Sequence, residues 1–554
     1  MSISSPPAVP TSRGEQPIEI LREDKSMSRG EQAQKNNIQA ARLISEIVRT
    51  SLGPHGMDKM VITEYGVVFI TNDGATMLKE MAVMHPAAKI LVEVSKATDM
   101  VVGDGTTSAV VFAGALLERA EELLERGVHP VQIVSGFYKA RKRALELLQD
   151  RAIKVGRDRD ALITVARTSM QTKIVAKDAT ALAGMVADAI LLVAQEREGK
   201  YTVDMKSVKV EKKEGGSMAD TTIIRGIVLD QKLVHPDMPK RLEKAKIAIV
   251  TMPFKIEDLT LQKKVVIRDV ALVRKFMEEE VVMLKAMVDK VRSVGANVLI
   301  CQKAIDEVAQ QHLARAGMMA VEKAYEYEMP KIASATGARI VNNFEDLTEK
   351  DLGYADVVEE KKVHGGKLLF IEGCRNPKAV TILVRGGSLR VIEEAERSVH
   401  DALMVAKDIM LEPALVPGGG ACEAGIAYSL ESWSRDLEGR EQLAAQKYAE
   451  ALEQIPITLA ENAGMDRNSA AVELRSRHAN GDSTYGISAE GKVRDMKAAG
   501  VLEPLIVKRQ VITSATEAAS MILRVDNIVV AQPRGPGERH GAARPAELDA
   551  PLAE

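Results

Sequence analysis

Two aspartates in glycine turns are the residues best suited to chemistry in this sequence. Asp73 lies in the segment NDGAT and Asp104 lies in the segment GDGTTS, and a predicted helix follows each turn. Free backbone N–H groups at the start of a helix attract phosphate, and glycine lets the backbone approach it closely. Thr106, Thr107 and Ser108 would add hydroxyl donors. The second turn therefore has the composition of a phosphate cradle.

A carboxylate repels a polyphosphate unless a divalent cation lies between them. Asp104 and Asp73 together are therefore a candidate site for Mg²⁺ and water, which suits phosphoryl transfer to water. An ordinary structural alternative stays open here, because Asp-Gly is a common turn pair and aspartate often caps a helix.

A third glycine segment, VPGGGA at 416–421, would suit a nucleotide, although three glycines also suit a simple flexible loop. The sequence contains no GxxxxGK[ST] motif and no GxGxxG within a strand-turn-helix unit, so the P-loop and Rossmann interpretations lose support. It also contains neither HExxH nor GxSxG.

The elements that must hold these turns are predicted to be mainly helical. An amphipathic helix over 36–50 carries Ala40, Ile44, Ile47 and Val48, and LGPHG ends it. A hairpin and a short helix then surround Asp73, and two long helices flank GDG. A later helix repeats apolar residues at steps of three and four, namely Ile392, Ala395, Val399, Ala402, Ala406 and Ile409.

An α/β module is predicted between Gly215 and Gly373, inserted between the two helical parts. The segments TTIIRGIVL, AKIAIVT, ANVLICQ and ARIVNN read as strands, and DEVAQQHLARAG reads as a helix. The 554 residues are enough for two to four domains.

Composition excludes several classes of protein. Hydrophobic residues make up 46% and charged residues 28%, which is ordinary for a globular chain, and the net charge of −3 gives no overall basic field for nucleic acid. No apolar run is long enough to span a membrane, and three scattered cysteines favour a reducing cytoplasm. We therefore expect a cytoplasmic protein with no nucleic acid and no membrane among its partners.

Eight segments together resemble the group II chaperonins, the family of the archaeal thermosome and the eukaryotic cytosolic chaperonin. In chain order they are SLGPHGMDKM, ITNDGATMLKEM, HPAAKILVEVSK, GDGTTSAVVFAGALL, VRGG, ERSVHDAL, VPGGGACEA and LAENAGMD. The resemblance covers about residues 20–532. It implies an ATP-dependent chaperone, an ATPase with Mg²⁺ that encloses unfolded client proteins in two stacked rings of identical or paralogous subunits.

The fold implied by the resemblance is multidomain, α+β and α/β. A mainly helical equatorial ATPase domain takes 25–152 and 409–532, a small intermediate hinge domain takes 153–214 and 375–408, and an α/β apical domain takes 215–374. Residues 1–24 and 533–554 are expected to be mobile tails.

The resemblance also implies roles for single residues. Asp73 and Asp401 match the pair that positions the hydrolytic water, and Asp104 matches the Mg²⁺ ligand. From the sequence alone Asp401 reads as a solvated carboxylate, because it lies opposite the apolar stripe of its helix. The other implied nucleotide contacts are Ser51, Leu52, Gly53 and Pro54 in a phosphate loop, Gly105, Thr106, Thr107 and Ser108 in the second turn, Gly419 and Gly420 at the nucleoside, Glu503 at the ribose, and Lys173 at the terminal phosphate.

Two features depart from the family pattern. His55 stands where a lysine is more usual, and the C-terminal tail lacks Gly-Gly-Met repeats. A structural ring or filament subunit with vestigial ATPase is the alternative, and retention of Asp73, Asp104 and Asp401 disfavours it. A metabolic ATP-dependent transferase would need its own small-molecule pocket, which nothing in the sequence marks.

A built-in lid is expected at about residues 252–285. A long amphipathic helix is predicted from about residue 272, with an apolar face of Val273, Phe276, Met283, Met287 and Val291. A surface loop leading into a core helix is the plain alternative, whereas the family resemblance implies a helical protrusion that closes the chamber.

Overall fold

Three large hydrophobic cores organise the chain in the computed structural model, which describes residues 27–63, 66–255, 270–363, 366–376 and 379–529. The first core draws on both ends of the described chain, from Ile38 to Leu148 and from Ala414 to Leu523. The second core lies between Ile227 and Ala379. The third core joins residues from Leu162 to Val208 with residues from Val380 to Leu415.

The N-terminal elements of the first core are mostly helices. They are β1 (Met27–Arg29), α1 (Gly30–Arg49), β2 (Lys59–Ile62), β3 (Val68–Thr71), α2 (Gly74–Glu80), α3 (Pro86–Val102), α4 (Thr106–Glu125), α5 (Pro130–Asp150) and β4 (Ile153–Lys154). The predicted hairpin, short helix and two long helices are confirmed. Helix α1 begins at Gly30, six residues before the predicted start.

The elements of the third core come next and include a long return helix. They are α6 (Arg159–Met170), α7 (Ala179–Val193), β5 (Ala194–Arg197), β6 (Lys200–Val203) and β7 (Val208–Glu214), followed much later by β16 (Val380–Gly386) and α11 (Leu389–Leu411). The predicted stripe of α11 is fully buried, which confirms it. Strand β7 pairs in parallel with β16.

The second core is a mixed sheet with helices. The strand β8 (Thr222–Ile224) still belongs to the sheet of the third core. The elements of the second core are β9 (Gly226–Leu229), β10 (Arg241–Val250), α8 (Val270–Ser293), β11 (Val298–Cys301), α9 (Glu307–Arg315), β12 (Met319–Val321), α10 (Met329–Thr336), β13 (Ile340–Val341), β14 (Gly353–Val363) and β15 (Gly366–Cys374). The sheet order is β12-β11-β10-β14-β15-β9, with β13 beside β10, while β8 pairs with β16. The predicted strands in AKIAIVT, ANVLICQ and ARIVNN and the helix α9 are confirmed. The predicted strand TTIIRGIVL is instead divided into β8 and β9, which pair in different sheets.

Helix α8 is confirmed, but its predicted apolar face is partly wrong. Leu284, Val288 and Val291 are buried, and Met287 packs against them. Met283 is 58% exposed, so the buried face lies one residue further along the chain. A helical pattern with several apolar residues on two faces cannot show which face meets the sheet. Val273 and Phe276 lie outside the residues whose side chains the structure describes.

The C-terminal elements complete the first core. They are β17 (Ala414–Pro417), α12 (Ala421–Ser434), α13 (Arg440–Leu452), α14 (Gln454–Asn462), α15 (Arg467–Ala479), β18 (Tyr485–Ile487), β19 (Val493–Asp495), β20 (Leu502–Pro504), α16 (Leu505–Leu523) and β21 (Asn527–Val529). Buried Tyr448 of α13 makes edge contacts with Phe112 and Phe137, at ring-centroid distances of 5.4 and 5.7 Å. Strands β1 and β21 pair antiparallel, so the two ends of the described chain meet.

Across the described residues, every helix is too short or too polar to cross a membrane.

Candidate active site

A cavity of about 530 Å³ lies where the first and third cores meet. Its walls combine turns from the first core with α11 and the turn after α6. Every site residue predicted from the sequence lies on this wall, namely Ser51, Leu52, Gly53, Pro54, Asp73, Asp104, Gly105, Thr106, Thr107, Ser108, Lys173, Asp401, Gly419, Gly420 and Glu503. Residues up to 452 positions apart in sequence thus share one concave surface, of the size usual for a small-molecule site.

The second glycine turn presents the start of α4 to the cavity. Gly105 occupies the N-cap position with φ of 76°, a conformation that favours glycine, and no side chain caps the helix. A Cβ at Gly105 would lie 2.9 Å from Val511 and 3.0 Å from Val507, so α16 packs directly against the turn. Asp104 Oδ1 accepts a hydrogen bond from the Gly105 N–H at 2.7 Å. The first N–H groups of α4 therefore remain available to an anion.

Asp73 is fixed beside this turn by its own helix. It caps α2, accepting hydrogen bonds from the N–H groups of Thr76 at 2.8 Å and Ala75 at 3.4 Å. The Thr106 hydroxyl also donates to Asp73 Oδ1 at 3.1 Å. The Asp73 carboxylate therefore caps α2 and also lines the cavity.

Asp401 is buried, so the solvated position that its helical wheel suggests is wrong. Only 5% of the residue is exposed, because the turn after α6 covers this face of α11. From that turn Lys173 donates a hydrogen bond to Asp401 Oδ2. Burial alone would lower the pKa of Lys173, but the nearby carboxylates of Asp401, Asp104 and Asp73 raise it above its usual value. Lys173 therefore carries a firm positive charge in the cavity.

Beside the cavity, two further hydrogen bonds connect elements of the third core to elements of the first. The Asn72 side-chain amide donates to the Thr172 carbonyl at 2.8 Å, next to Lys173. The Arg397 guanidinium on α11 donates to the Thr71 hydroxyl at 3.2 Å. Both bonds join the strand and turn before α2 to elements of the third core, so the position of Lys173 depends on how the two cores meet.

The remaining cavity turns are held by the C-terminal helices. The Asn462 amide donates to the carbonyls of Leu52 at 2.8 Å and Arg49 at 3.1 Å, which fixes the loop of Ser51 to Pro54. On the opposite side β17 pairs with β20, with Val416 opposite Glu503. The three-glycine turn after β17 therefore lies next to the Glu503 carboxylate.

Comparison with known proteins identifies the family of this chain. The model of the TCP-1/cpn60 chaperonin family matches residues 44–533. The chain is 47% identical over 519 residues to a thermosome subunit of Pyrococcus abyssi, which covers 93% of this chain and 94% of that relative. It is 48% identical over 505 residues to a thermosome subunit of Methanopyrus kandleri, covering 91% and 93%.

The chain belongs to the TCP-1/cpn60 chaperonin family. Within that family it is a group II chaperonin, an ATP-hydrolysing molecular chaperone. The thermosome subunit alpha of Archaeoglobus fulgidus is also similar, with 46% identity over 537 residues, covering 96% of this chain and 98% of that relative.

The cavity of the chaperonin has the donors that Mg²⁺ and a polyphosphate need. In the described part of the chain, no three His, Cys, Asp or Glu side chains group into a metal site on their own. Mg²⁺ commonly takes one or two carboxylates together with phosphate oxygens, and the Asp104 carboxylate fits that pattern. Lys173 and the free N–H groups of α4 supply positive charge at the cavity.

Three charged residues near the cavity were missed by the sequence reasoning. Lys508 on α16 lies against both Glu503 and Glu423, with side-chain distances of 2.6 and 2.7 Å. Asp99 on α3 lies near Asp401 and Asp73, and burial, followed by these two carboxylates, raises the pKa of Asp99 to about 6. Charged residues within apolar helices are a weak signal for such positions, since most are solvated.

Proposed function

We propose that the chaperonin hydrolyses ATP in this cavity and uses the reaction to enclose unfolded client proteins. The observation that carries the proposal is the convergence of Asp73, Asp104, Asp401 and Lys173, from two different cores, on one phosphate cradle. Structural turns alone would not need three carboxylates and a buried lysine at one cavity.

Each residue has a distinct part in the proposed hydrolysis. The N–H groups at the start of α4, together with Ser51 to Pro54, hold the phosphates, and Asp104 holds Mg²⁺, which when bound offsets charge on the phosphate oxygens. Asp73 and Asp401 accept hydrogen bonds from the attacking water and orient it toward the terminal phosphate. Lys173 stabilises the charge on that phosphate. Gly419, Gly420 and Glu503 contact the nucleoside.

Hydrolysis is coupled to movement because the catalytic residues belong to different cores. Asp73 caps α2 and Asp104 precedes α4, which are helices of the first core. Asp401 lies on α11 and Lys173 follows α6, which are helices of the third core. Loss of the terminal phosphate removes a ligand that both cores share, so their contact weakens and the third core can rotate. The third core passes this rotation to the second through the adjoining strands β7, β16 and β8.

The three cores support a division into equatorial, intermediate and apical domains. We propose residues 25–152 and 409–532 for the first, 153–214 and 375–408 for the second, and 215–374 for the third. The predicted tails, 1–24 and 533–554, lie outside the described residues.

Assembly is part of the proposal. Identical or paralogous subunits would form two stacked rings in the cytoplasm, with unfolded proteins as clients. The similarity to curated thermosome subunits supports this assembly. The three free cysteines fit a reducing compartment. The alternative, a ring or filament subunit with vestigial ATPase, is disfavoured by the complete set of carboxylates in the cavity.

The proposal includes a built-in lid at about residues 252–285. Residues 256–269 of that segment lie outside the described residues, and α8 follows them. Replacing residues 255–275 by a short linker should leave ATPase activity but abolish protection of an enclosed client from protease. Continued protection by the shortened protein would refute the lid.

The main test compares hydrolysis with folding. Purified chaperonin is incubated with a chemically denatured enzyme and Mg-ATP, and recovery of that enzyme is measured beside phosphate release. We expect recovery with Mg-ATP, little with Mg-ADP, and loss of both activities in Asp401→Asn. Phosphate release without any recovery for several unrelated clients would favour the structural alternative.

A further inference from the structure

A buried lysine on α16 bridges two glutamates at the nucleoside end of the cavity. Lys508 Nζ lies 2.6 Å from Glu503 Oε2 and 2.7 Å from Glu423 Oε1. The side chains of Lys508 and Glu423 are 7% and 3% exposed, whereas that of Glu503 is 27% exposed and reaches the cavity. Glu423 is therefore closed to a ligand, whereas Glu503 and the lysine that holds it both border the cavity.

A contribution to the stability of the fold does not explain why these three charged residues are buried together. Buried ion pairs contribute little net stability, because desolvation of the charges offsets their attraction. Within the described chain, neither Glu423 oxygen has a hydrogen-bond partner, and Oε1 forms an ion pair with Lys508. Burial opposes the charge on Lys508, but the Glu423 and Glu503 carboxylates raise its pKa, so it stays positive. Glu423 thus anchors the lysine, and the lysine holds the Glu503 carboxylate at the cavity wall.

Both oxygens of Glu503 have fixed surroundings. Oε2 is held by Lys508, as above. Oε1 lies beside the three-glycine turn, only 2.7 Å from the place that a Cβ of Gly418 would occupy. Burial raises the pKa of Glu503, and the Lys508 ammonium opposes that rise. The lysine therefore fixes the orientation of the carboxylate and favours its ionised form.

We propose that Lys508, anchored by Glu423, is a positioning residue that presents the Glu503 carboxylate to the sugar hydroxyls of the nucleotide. The inference rests on the proposed nucleotide site and adds how its sugar end is organised. An ionised, oriented carboxylate accepts hydrogen bonds from hydroxyl donors on a ribose. A sugar without those hydroxyls would leave it unpaired, so the group selects ribonucleotides.

The test measures binding without hydrolysis. In an Asp401→Asn background, calorimetry gives the Kd of Mg-ATP and of Mg-2′,3′-dideoxyATP for Lys508→Met, Glu503→Gln and the double variant. We expect Lys508→Met to weaken ATP binding about tenfold, the size of one charged hydrogen bond, and to reduce the preference for ATP over the dideoxy analogue. The double variant should bind no more weakly than Glu503→Gln alone.

One control variant and one milder variant accompany the test. Lys447 also bridges two glutamates in the first core, 2.7 Å from both Glu122 and Glu450, but does not line the cavity. Lys447→Met should leave both affinities unchanged. If Lys508→Met does not fold, Glu423→Gln gives the milder form, with a loss of about threefold that is confined to ATP.

The outcomes separate this inference from the proposed function. Unchanged sugar preference in Lys508→Met or Glu423→Gln, beside a loss in Glu503→Gln, would overturn the positioning role. Additive losses in the double variant would do the same, because a purely structural lysine does not act through Glu503. Absence of phosphate release from the protein with Asp401 intact would instead contradict the proposed function, and the Kd measurements do not depend on it.

Discussion

Lys173 and Asp401 form a buried ion pair across 228 residues of sequence. Their side chains are only 8% and 7% exposed, and both line the cavity beside the start of α4. A terminal phosphate in the cavity would compete with Asp401 for the lysine. Binding of ATP would then release the Asp401 carboxylate toward water, which links occupancy of the cavity to the arrangement of α11.

Removal of either water-positioning carboxylate should abolish turnover but keep nucleotide binding. Asp401→Asn and Asp73→Asn should each lower kcat by about 100-fold or more, because water is no longer oriented by an ionised acceptor. Asparagine at position 73 can still cap α2, so we expect the Asp73→Asn protein to fold normally. Single-turnover phosphate release and nucleotide affinity are the measurements. Near-normal turnover in both variants would contradict the site.

The turns around Asp73 and Asp104 could be predicted because their signals are local. Glycine, aspartate and a following apolar helix lie within a few residues, and the structure has helices α2 and α4 at these places. The burial of Asp401 could not be predicted from α11 alone, since the turn that covers it comes from residues near Lys173. The family resemblance supplied that residue, and its role stays a prediction.

Asp104→Asn should weaken binding of Mg-ATP itself. The amide keeps an oxygen for the Gly105 N–H, which now bonds Asp104 Oδ1 at 2.7 Å, but the cation loses a charged ligand. We expect at least a tenfold loss of affinity at limiting Mg²⁺, with partial recovery at high Mg²⁺. Titration of nucleotide at several Mg²⁺ concentrations measures this. Equal affinity for both proteins at limiting Mg²⁺ would exclude Asp104 as the ligand.

Gly418→Ala should disturb the nucleoside end without touching the phosphates. The added Cβ would lie 2.7 Å from Glu503 Oε1 and 3.0 Å from Val501 Cγ1, so the carboxylate or strand β20 must shift. We expect nucleotide affinity to fall about fivefold, while kcat at saturation changes less than twofold. Gly387→Ala is the matched control, because a Cβ there meets nothing within 4 Å. Equal KM values for the two variants would show that the close approach of residue 418 to the Glu503 carboxylate does not affect nucleotide binding.

Contacts between residues far apart in sequence could not be predicted from local patterns. The three glycines at 418–420 predicted a loop, but the approach of Gly418 to Glu503 depends on β17 pairing with β20, a strand far along the chain. The buried face of α8 was missed for a similar reason. Val282 and Met283 are 66% and 58% exposed although apolar, and only packing on the sheet identifies the Leu284 side as the inner one.

The last prediction concerns Lys209, which joins the third core to the second. From β7 its ammonium donates to the Val228 carbonyl at 2.6 Å and pairs with Glu211 at 2.6 Å and with Glu328. Glu328 precedes α10 of the second core, and its Oε2 has no hydrogen-bond partner in the described chain. Lys209 thus pairs with the partly buried Glu211 carboxylate of the third core and with the buried Glu328 carboxylate of the second core. We call this contact between the two cores the joint.

Lys209→Met should loosen this joint while leaving ATP hydrolysis intact. Removing one partner of a buried ion pair costs about 3 kcal/mol or more, because the remaining charges stay desolvated. We expect faster protease cleavage around residues 209–230 in the nucleotide-free protein, poorer client folding, and basal ATPase within twofold of the original. Lys361→Met, which removes a half-exposed lysine paired with Glu359 and Glu372, is the control within the second core.

The defect should depend on pH in a definite direction. Burial raises the pKa of Glu211, and Lys209 opposes this rise, so loss of the lysine raises that pKa further. A carboxyl whose folded-state pKa is raised destabilises the joint when ionised, at pH above that pKa, and ceases to do so once protonated. The excess cleavage of Lys209→Met should therefore be largest near pH 8 and shrink toward pH 5, measured with a protease active at both. A defect of equal size at both pH values would show that lost packing, and not unpaired charge, loosens the joint.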